Sequence, residues 1–512
     1  MNIAHNVERG CQLFPNKAAL IFERQSFTYK ELNKFTNRMA NGLRKLGIER
    51  GDRVALLLPN IPEFVISYLG ILKLGAVVVS LNVMLKSDEI KFILNDCNPK
   101  ALIVTEELSE NVPEGELPEL KHILIVSDRV NKDISLEQFM ASASSDARAV
   151  EMEPNDPAAI VYTSGTTGFP KGATLSHGNV ISNIYSKNRC CRMQPDDRLL
   201  LYLPLFHCFG QNAVLNSGLN ACATIILQRR FDPEQVLKSI ASEGITMFFG
   251  VPTVFIKLLS TNMSGYNLSS VRYYFTAAAP MPIEISQRWH EQHGHVIHEG
   301  YGLTETSPFA SYNHDLKYKL GSIGTPIENV EMKIVNLDGM ELQPGDLGEI
   351  IIRGPNVMLG YWNRPGETAQ AITNGWFHTG DIGWMDDEKY FYIVDRLKDM
   401  INVSGFKVYP AEVENAIYKH PAVAEVAVYG TPDLLKGEIV KANIVLKEDQ
   451  VATSEEIIAF CSERMATYKI PRTIDFNNSL PKNATGKVLK QHLRQEELIK
   501  SRNFNLQFSI KS

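Results

Sequence analysis

No stretch of this sequence is apolar for long enough to cross a membrane. The most apolar region, Phe64 to Val83, is broken by Gly70, Lys73 and Gly75. It reads as a helix followed by a strand, not as a span of ~20 residues. The first residues, Met1 to Asn6, lack the basic start and apolar core of a secretory signal. The last, Ser509 to Ser512, carry no address signal. Peripheral contact with a membrane stays open. Cysteine is sparse: seven, scattered, with Cys190 and Cys191 adjacent and none at metal-ligand spacing. That excludes a disulfide framework and a zinc finger, and it predicts reduced thiols in a cytoplasmic setting. His290, His293, His295 and His298 imitate a metal site but match no zinc spacing, so they are read as structural or exposed. Basic charge is not in excess: 52 Lys and Arg against 58 Asp and Glu leave −6, which argues against nucleic-acid binding by bulk charge. There is no internal repeat and no low-complexity tract.

What remains is a 512-residue chain, 44% hydrophobic and 21% charged, which suits a large globular enzyme of more than one domain. Thr28 and Glu31 form a capping-box pattern ahead of Leu32, Phe35, Met39 and Leu43 at helical spacing, with Gly47 to stop the helix. Strands are expected at 53–58, 76–80 and 101–105, with a helix opening at Pro62 and another around Glu89. Residues 106–155 read as connecting surface. Strands are expected again at 199–203, 223–227, 246–250, 273–277 and 296–298, with helices after Pro233, Pro252 and Pro282. Such alternation predicts mostly parallel sheets covered on both faces. From 321 to 395 the pattern is strand-rich, with a hairpin signal at Asp338-Gly339 and a strand at 349–353. Beyond Asp395 come a helix at 411–420, strands at 423–429 and 439–446, and an amphipathic helix at 454–465. The expected architecture is α/β. It comprises a large N-terminal domain, 1–395, of two α/β subdomains plus a β-rich one, and a small, mobile α+β C-terminal domain, 396–512.

The run Tyr162-Thr-Ser-Gly-Thr-Thr-Gly-Phe-Pro-Lys-Gly172 follows an apolar strand, Ala158 to Val161. Gly165 and Gly168 can take positive φ and turn successive N–H groups to one side. Thr163, Ser164, Thr166 and Thr167 add hydroxyl donors, and Lys171 adds a mobile charge. This is a loop suited to polyphosphate, although it lacks the Gly-x-x-x-x-Gly-Lys-Ser/Thr spacing. Five more runs accompany it: Leu203-Pro-Leu-Phe-His-Cys-Phe-Gly210, Gly300-Tyr-Gly-Leu-Thr-Glu-Thr306, Trp376-Phe-His-Thr-Gly-Asp381, Asp395-Arg-Leu-Lys-Asp399 and Pro481-Lys-Asn-Ala-Thr-Gly-Lys487.

In order and spacing these runs resemble the adenylate-forming enzymes: acyl-CoA synthetases, peptide-synthetase adenylation domains and luciferases. The wording of Gly360-Tyr-Trp-Asn-Arg-Pro365 and of Tyr301 to Pro308 is nearest to fatty acyl-CoA synthetases. The resemblance implies activation of a carboxylate by ATP to an acyl-adenylate and pyrophosphate, then attack by a thiol. It implies ATP, Mg2+ and coenzyme A. Glu305 would hold magnesium, a hard cation that takes carboxylate and phosphate oxygens. Thr304 would bond the α-phosphate, and Tyr301 would stack on adenine. Asp381 would accept the ribose hydroxyls, with Arg396 as the second ribose and phosphate contact. Ala278, Glu299, Gly300 and Gly302 would complete the nucleotide pocket; the small residues of 277–279 suit close strand–helix packing equally. His207 would orient or gate the acid. Lys487 would be the adenylation lysine, a mobile ammonium for the charge that develops in transfer.

The family also implies a rotation of the small domain between half-reactions, with Lys398 as hinge. After it, Ser404 and Gly405 would line a thiol channel and Lys407 would contact the nucleotide. Some relatives have lysine where this chain has Asn402, which puts that lysine's part in the second step in doubt here. The acyl pocket is expected to draw on Phe206, Phe209, Gly210, Val251, Phe255, Met281 and Ser307. The leading reading is an ATP-dependent fatty acyl-CoA synthetase acting on a fatty or other small carboxylic acid. The alternatives are transfer to the pantetheine of an acyl carrier protein and an aromatic-acid CoA ligase.

Overall fold

The structure is a computed structural model, and it describes residues 1–497 apart from 114, 116, 128–133, 164–169, 434 and 485. Two large sheets form the body of the N-terminal part. In one, the strands Ile134–Ser135, His122–Val126, Ala101–Thr105, Arg53–Leu57, Val77–Ser80 and Pro157–Thr163 run parallel, and Lys171–Ser176 and Gly360–Tyr361 add antiparallel edges. In the other, Ala18–Phe22, Thr224–Leu227, Arg198–Leu201, Met247–Gly250, Tyr273–Thr276 and Ile297–Gly302 run parallel between antiparallel edge strands. Most of these strands are near-continuous apolar runs, as sheets covered on both faces require.

The helix Pro62–Leu74 explains why the most apolar stretch is not a membrane span: no helix among the described residues is long and apolar enough for that. All its residues but Glu63 are buried, so it has no polar face. Tyr68 within it accepts a hydrogen bond from Asn216 at 2.7 Å. Lys73 is buried on the same helix and is tolerated because Glu8, at 3.3 Å, and the amide oxygens of Asn33 and Asn37 surround its ammonium. Thr28 and Glu31 form the expected capping box on the helix Tyr29–Lys45.

Residues 106–155 are not merely connecting surface. His122–Val126 adds a parallel strand beside Ala101–Thr105, and the helix Leu136–Ala141 sets Phe139 against Gly42. The strand lies toward a sheet edge, with only Leu124 buried, so its apolar signal is short and one-sided. A π-helix at Phe209–Asn216 was also not foreseen; such turns leave no periodicity of their own and concentrate at functional sites.

The third sheet is antiparallel: Glu331–Val335, Gly348–Arg353, Trp376–Met385 and Ile372–Thr373 in order, with Phe391–Arg396 also against Trp376–Met385. A fourth sheet lies C-terminal to it, built on the long hairpin Val423–Asp433 and Gly437–Leu446 with helices Pro410–Ile417 and Ser454–Ser462. Its apolar core runs from Ile401 to Cys461 and is separate from the main core, whose last buried member is Phe391. Between them the chain makes one 3-10 turn, Leu397–Asp399.

Candidate active site

Direct contacts join several of the expected residues: Asp381 with Tyr301 and Arg396, and Thr304 with Cys208. The strands Pro157–Thr163 and Lys171–Ser176 are antiparallel neighbours, with Thr163 opposite Lys171 and its hydroxyl 3.4 Å from the Lys171 carbonyl. The two strands that flank the expected polyphosphate loop therefore pair as a hairpin. Ser164, Gly165, Thr166, Thr167 and Gly168 lie outside the described residues. Tyr162, at one post of the hairpin, donates to Asp96 at 2.6 Å. Lys171, at the other, lies 3.9 Å from Glu367 and over the Tyr361 ring, 5.4 Å from its centroid.

Gly300, Tyr301 and Gly302 lie in the strand itself and not in a turn after it. Their glycines answer to packing. A Cβ on Gly302 would sit 1.7 Å from the Pro308 carbonyl oxygen, and one on Gly300 would sit 2.2 Å from Phe275. The register slips between Tyr301 and Gly302, a bulge that re-aims the side chain beside it. Tyr301 thereby donates its phenol to Asp381 Oδ2 at 2.6 Å. Asp381 Oδ1 takes Arg396 Nε at 2.9 Å, across paired strands of the third sheet. Each carboxylate oxygen keeps a second lone pair for a sugar hydroxyl. Ala278 is at φ +74°, a conformation that favours glycine.

Glu305 and Thr304 follow in a short 3-10 turn, both buried. Glu305 Oε1 accepts from the Tyr361 phenol at 2.9 Å. Burial raises the Glu305 pKa, and Tyr361 and Arg396 partly oppose this. A buried carboxylate with one oxygen so held fits a hard divalent cation, which would keep it charged. Thr304 Oγ1 is 3.5 Å from the Cys208 thiol. Glu299, one strand position before Gly300, is pushed up to about 8 by burial, against N–H bonds from Met281 and Gly321. It is mostly neutral at pH 7, and its Oε1 has no partner among the described residues.

Lys487 comes from the C-terminal part. A tight turn holds it: Asn483 Oδ1 accepts the Lys487 N–H at 2.9 Å, and Gly486 N–H donates to Asn483 O at 2.9 Å. The turn is docked by Thr253, whose hydroxyl donates to Gly486 O at 3.1 Å, and by Ala484 on the main core. The Lys487 side chain stays open to solvent in the cleft, yet enough protein surrounds its ammonium to lower its pKa to about 8. Burial is the main cause and Arg396 the next, partly offset by Asp381 and Asp399. His207 is held at about 4 by burial and then by Lys487. It is neutral, and its Nδ1 accepts the Phe209 N–H at 3.2 Å, so the proton is on Nε2.

The expected hinge region begins beside a fixed carboxylate. Asp395 is buried and accepts the Ala411 N–H at 2.8 Å, at the start of the helix Pro410–Ile417. Lys398 lies in the 3-10 turn Leu397–Asp399, and its side chain is outside the described residues.

Lys407 is expected at the nucleotide only once the small domain has rotated. It lies exposed on the hairpin Ile401–Val403 and Phe406–Val408, because the C-terminal part presents its Lys487 face instead. Ser404 and Gly405 make that hairpin's turn, at φ 53° and 90°, and Asn402 caps it with Oδ1 accepting the Gly405 N–H at 2.9 Å. The partners of this hairpin, Glu438, Lys436 and Tyr468, are C-terminal too. Phe255, expected in the acyl pocket, is fully buried against Trp289 and Phe248, with ring centroids 5.2 and 5.7 Å away; an apolar residue in a helix cannot be assigned to pocket or core from sequence. Gly210 answers to backbone packing, since a Cβ there would lie 2.5 Å from Pro204 O. Phe209 packs edge-on to Phe275 and Phe309. Phe206, Val251 and Met281 are buried, and the buried Ser307 hydroxyl has no partner among the described residues. The four histidines do not converge: His298 bonds the Asn313 carbonyl at 2.9 Å and stacks on Tyr273, while His290 is exposed. Sequence reasoning missed Tyr361 as a partner of Glu305, and Thr253 as the dock for the Lys487 turn. Only the quoted wording around Gly360 hinted at the first.

Residues 7–362 match the family model of the AMP-binding enzymes, and residues 412–487 that of the AMP-binding enzyme C-terminal domain. A long-chain-fatty-acid–CoA ligase of Bacillus subtilis (strain 168) is 37% identical, over 94% of this chain and 92% of its own. The fold is similar to that of the anthranilate CoA ligase AuaEII in complex with anthranoyl-AMP (TM-score 0.92, 31% identity, 97% of each chain). It is also similar to that of ATP-bound MatB from Rhodopseudomonas palustris (TM-score 0.89, 31% identity, 97% of this chain and 99% of that one).

Proposed function

The chain belongs to the AMP-binding enzymes, and on that premise we propose how its residues divide the work of an AMP-forming fatty-acid–CoA ligase. The reaction runs in two halves. A fatty acid carboxylate attacks the α-phosphate of ATP, giving acyl-AMP and pyrophosphate. The CoA thiol then attacks the acyl carbon, giving acyl-CoA and AMP.

Residues 1–395 bind the acid and most of the nucleotide, and residues 396–512 supply Arg396 and Lys487. Asp381 and Arg396 take the ribose, Tyr301 the base, and Thr163 to Lys171 the departing pyrophosphate. Magnesium, held by Glu305, would neutralise phosphate charge when bound. Lys487 meets the negative charge that develops at the α-phosphate, and neutral His207 presents Nε2–H toward the acid. The observation that carries this reading is the position of Lys487. Its ammonium feels the charges of Arg396 and Asp381 and lowers the pKa of His207, which supports a role in the first half-reaction. The Ser404–Gly405 hairpin would take that place for the second half after rotation at Lys398.

CoA is the acceptor we favour over a carrier-protein thiol, because the chain has no long insertion of the kind found in fatty acyl-AMP ligases. The unpaired cysteines support a cytoplasmic location. An aromatic-acid ligase is the second reading, favoured by the closeness of the fold to an anthranilate ligase. One assay separates these. The protein is given ATP, Mg2+ and a panel of fatty and aromatic acids, with CoA or with pantetheinylated carrier protein, and pyrophosphate and thioester are measured. Fatty acyl-CoA as the preferred product supports the assignment; pyrophosphate with neither thioester overturns it.

A further inference from the structure

Tyr361 touches both halves of the phosphate site. Its phenol donates to Glu305 Oε1 at 2.9 Å, and the Lys171 ammonium lies over its ring, 5.4 Å from the centroid. Each contact is chemically apt. A phenol O–H orients a carboxylate by a charge-assisted hydrogen bond, and an aromatic face attracts a cation. The ring is also held firmly. Tyr361 pairs with Ala173 across an antiparallel edge, and its N–H donates to Thr368 Oγ1 at 2.8 Å. On one side, Met358 N–H bonds the backbone oxygen of Glu305 itself at 2.8 Å. On the other, Trp362 and Asn363 donate to the Asp96 carbonyl at 3.3 and 3.0 Å, and Arg364 pairs with the Asp96 carboxylate at 2.8 Å. Asp96 also receives Tyr162, just before the polyphosphate loop, at 2.6 Å. The segment carrying Tyr361 is thus braced against the same carboxylate as one post of that loop.

We propose that Tyr361 is a positioning residue that aims the Glu305 carboxylate at magnesium and seats the Lys171 ammonium beside the polyphosphate, so that one side chain sets both. The proposal rests on the nucleotide-site assignment above, and its test is chosen to fail separately from it.

Tyr361→Phe removes only the hydroxyl, while Tyr361→Leu removes the ring as well. Binding of a fluorescent ATP analogue is measured in EDTA and across a magnesium titration, with thermal melting to confirm folding. Wild type must bind the analogue; if it does not, the functional assignment is what fails. The Phe variant should bind metal-free nucleotide as wild type does, yet need about tenfold more magnesium, the lower end of what loss of an outer-shell partner costs a metal site. The Leu variant should also weaken metal-free binding, by about two- to fivefold for a lost cation–π contact. Two results overturn the proposal: an unchanged magnesium titration in the Phe variant, or weakening in EDTA and in magnesium by the same factor, which is what mere packing would give. A Leu variant that matches Phe in EDTA overturns the Lys171 half. Should Leu not melt cooperatively, the Phe comparison decides the magnesium half, and Lys171→Met on the Phe background decides the other: a loss in EDTA equal to that on wild type supports it, and no loss on either background overturns it.

Discussion

The lowered pKa of Lys487 turns the first half-reaction into a pH experiment. An ordinary lysine titrates at 10.5, and burial together with Arg396 brings this one to about 8. The ammonium is the working form, because it must meet negative charge, so activity is lost as pH rises through that value. The quantity to follow is kcat/KM for ATP, read as pyrophosphate release, since it reports groups of the free enzyme. It should be half-maximal near pH 8 and fall about tenfold for each further unit, because each unit lowers the protonated fraction about tenfold. No second limb should appear between pH 6 and 8 from His207, whose value of about 4 leaves it neutral throughout. Lys487→Arg should abolish the alkaline limb, since a guanidinium does not titrate in this range. Lys487→Ala should lower the whole profile by about 10²–10³, the usual cost of losing one charge-stabilising donor, and flatten it. Thioester formation from supplied acyl-adenylate should keep its own profile in both variants. A wild-type limb near 10 would refute the argument, as would a limb near pH 8 that stays in Lys487→Ala and survives Glu299→Gln, since the Glu299 carboxyl, pushed up to about 8, titrates in the same range.

Three further expectations follow from single residues. Glu305→Gln should raise the magnesium concentration needed for half-maximal pyrophosphate release, by about tenfold or more; an unchanged titration removes Glu305 as the metal ligand. Lys398→Pro should stiffen the Leu397–Asp399 turn, leaving pyrophosphate release near wild type and slowing thioester formation from supplied acyl-adenylate; equal rates in that second assay would take the hinge role away. Gly302→Ala forces a Cβ to within 1.7 Å of the Pro308 carbonyl. It should cost about 1–3 kcal/mol of stability, visible as a lower urea midpoint, and an unshifted midpoint would mean that the strand yields without cost.

The chemistry was more legible in the chain than the packing. Asp381, Arg396 and Tyr301 were assigned singly to ribose, phosphate and base, yet their contact with one another depends on a bulge after Tyr301 and on cross-strand pairing. Local sequence encodes neither. Capping at Thr28 and the proline-opened helices were readable because their partners lie within four residues. The strand His122–Val126 was not, because an edge strand with one buried residue carries too little apolar signal. Phe255 was misplaced for the converse reason: one apolar residue looks the same whether it faces a ligand or Trp289.

The sequence alone determined the inventory: a hydroxyl-rich glycine loop, a carboxylate suited to magnesium, an aspartate at the end of a Trp-Phe-His-Thr-Gly-Asp run and a lysine in a Thr-Gly-Lys turn. Residue type and short-range order suffice for these because their chemistry is local. Tertiary structure decided which of them meet. Lys487 owes its lowered pKa first to the protein that surrounds its ammonium and then to Arg396, and Glu305 receives its hydrogen bond from Tyr361. Both are effects of distance between segments far apart in the chain, and such distances exist only once the sheets have packed and the C-terminal part has docked on Thr253.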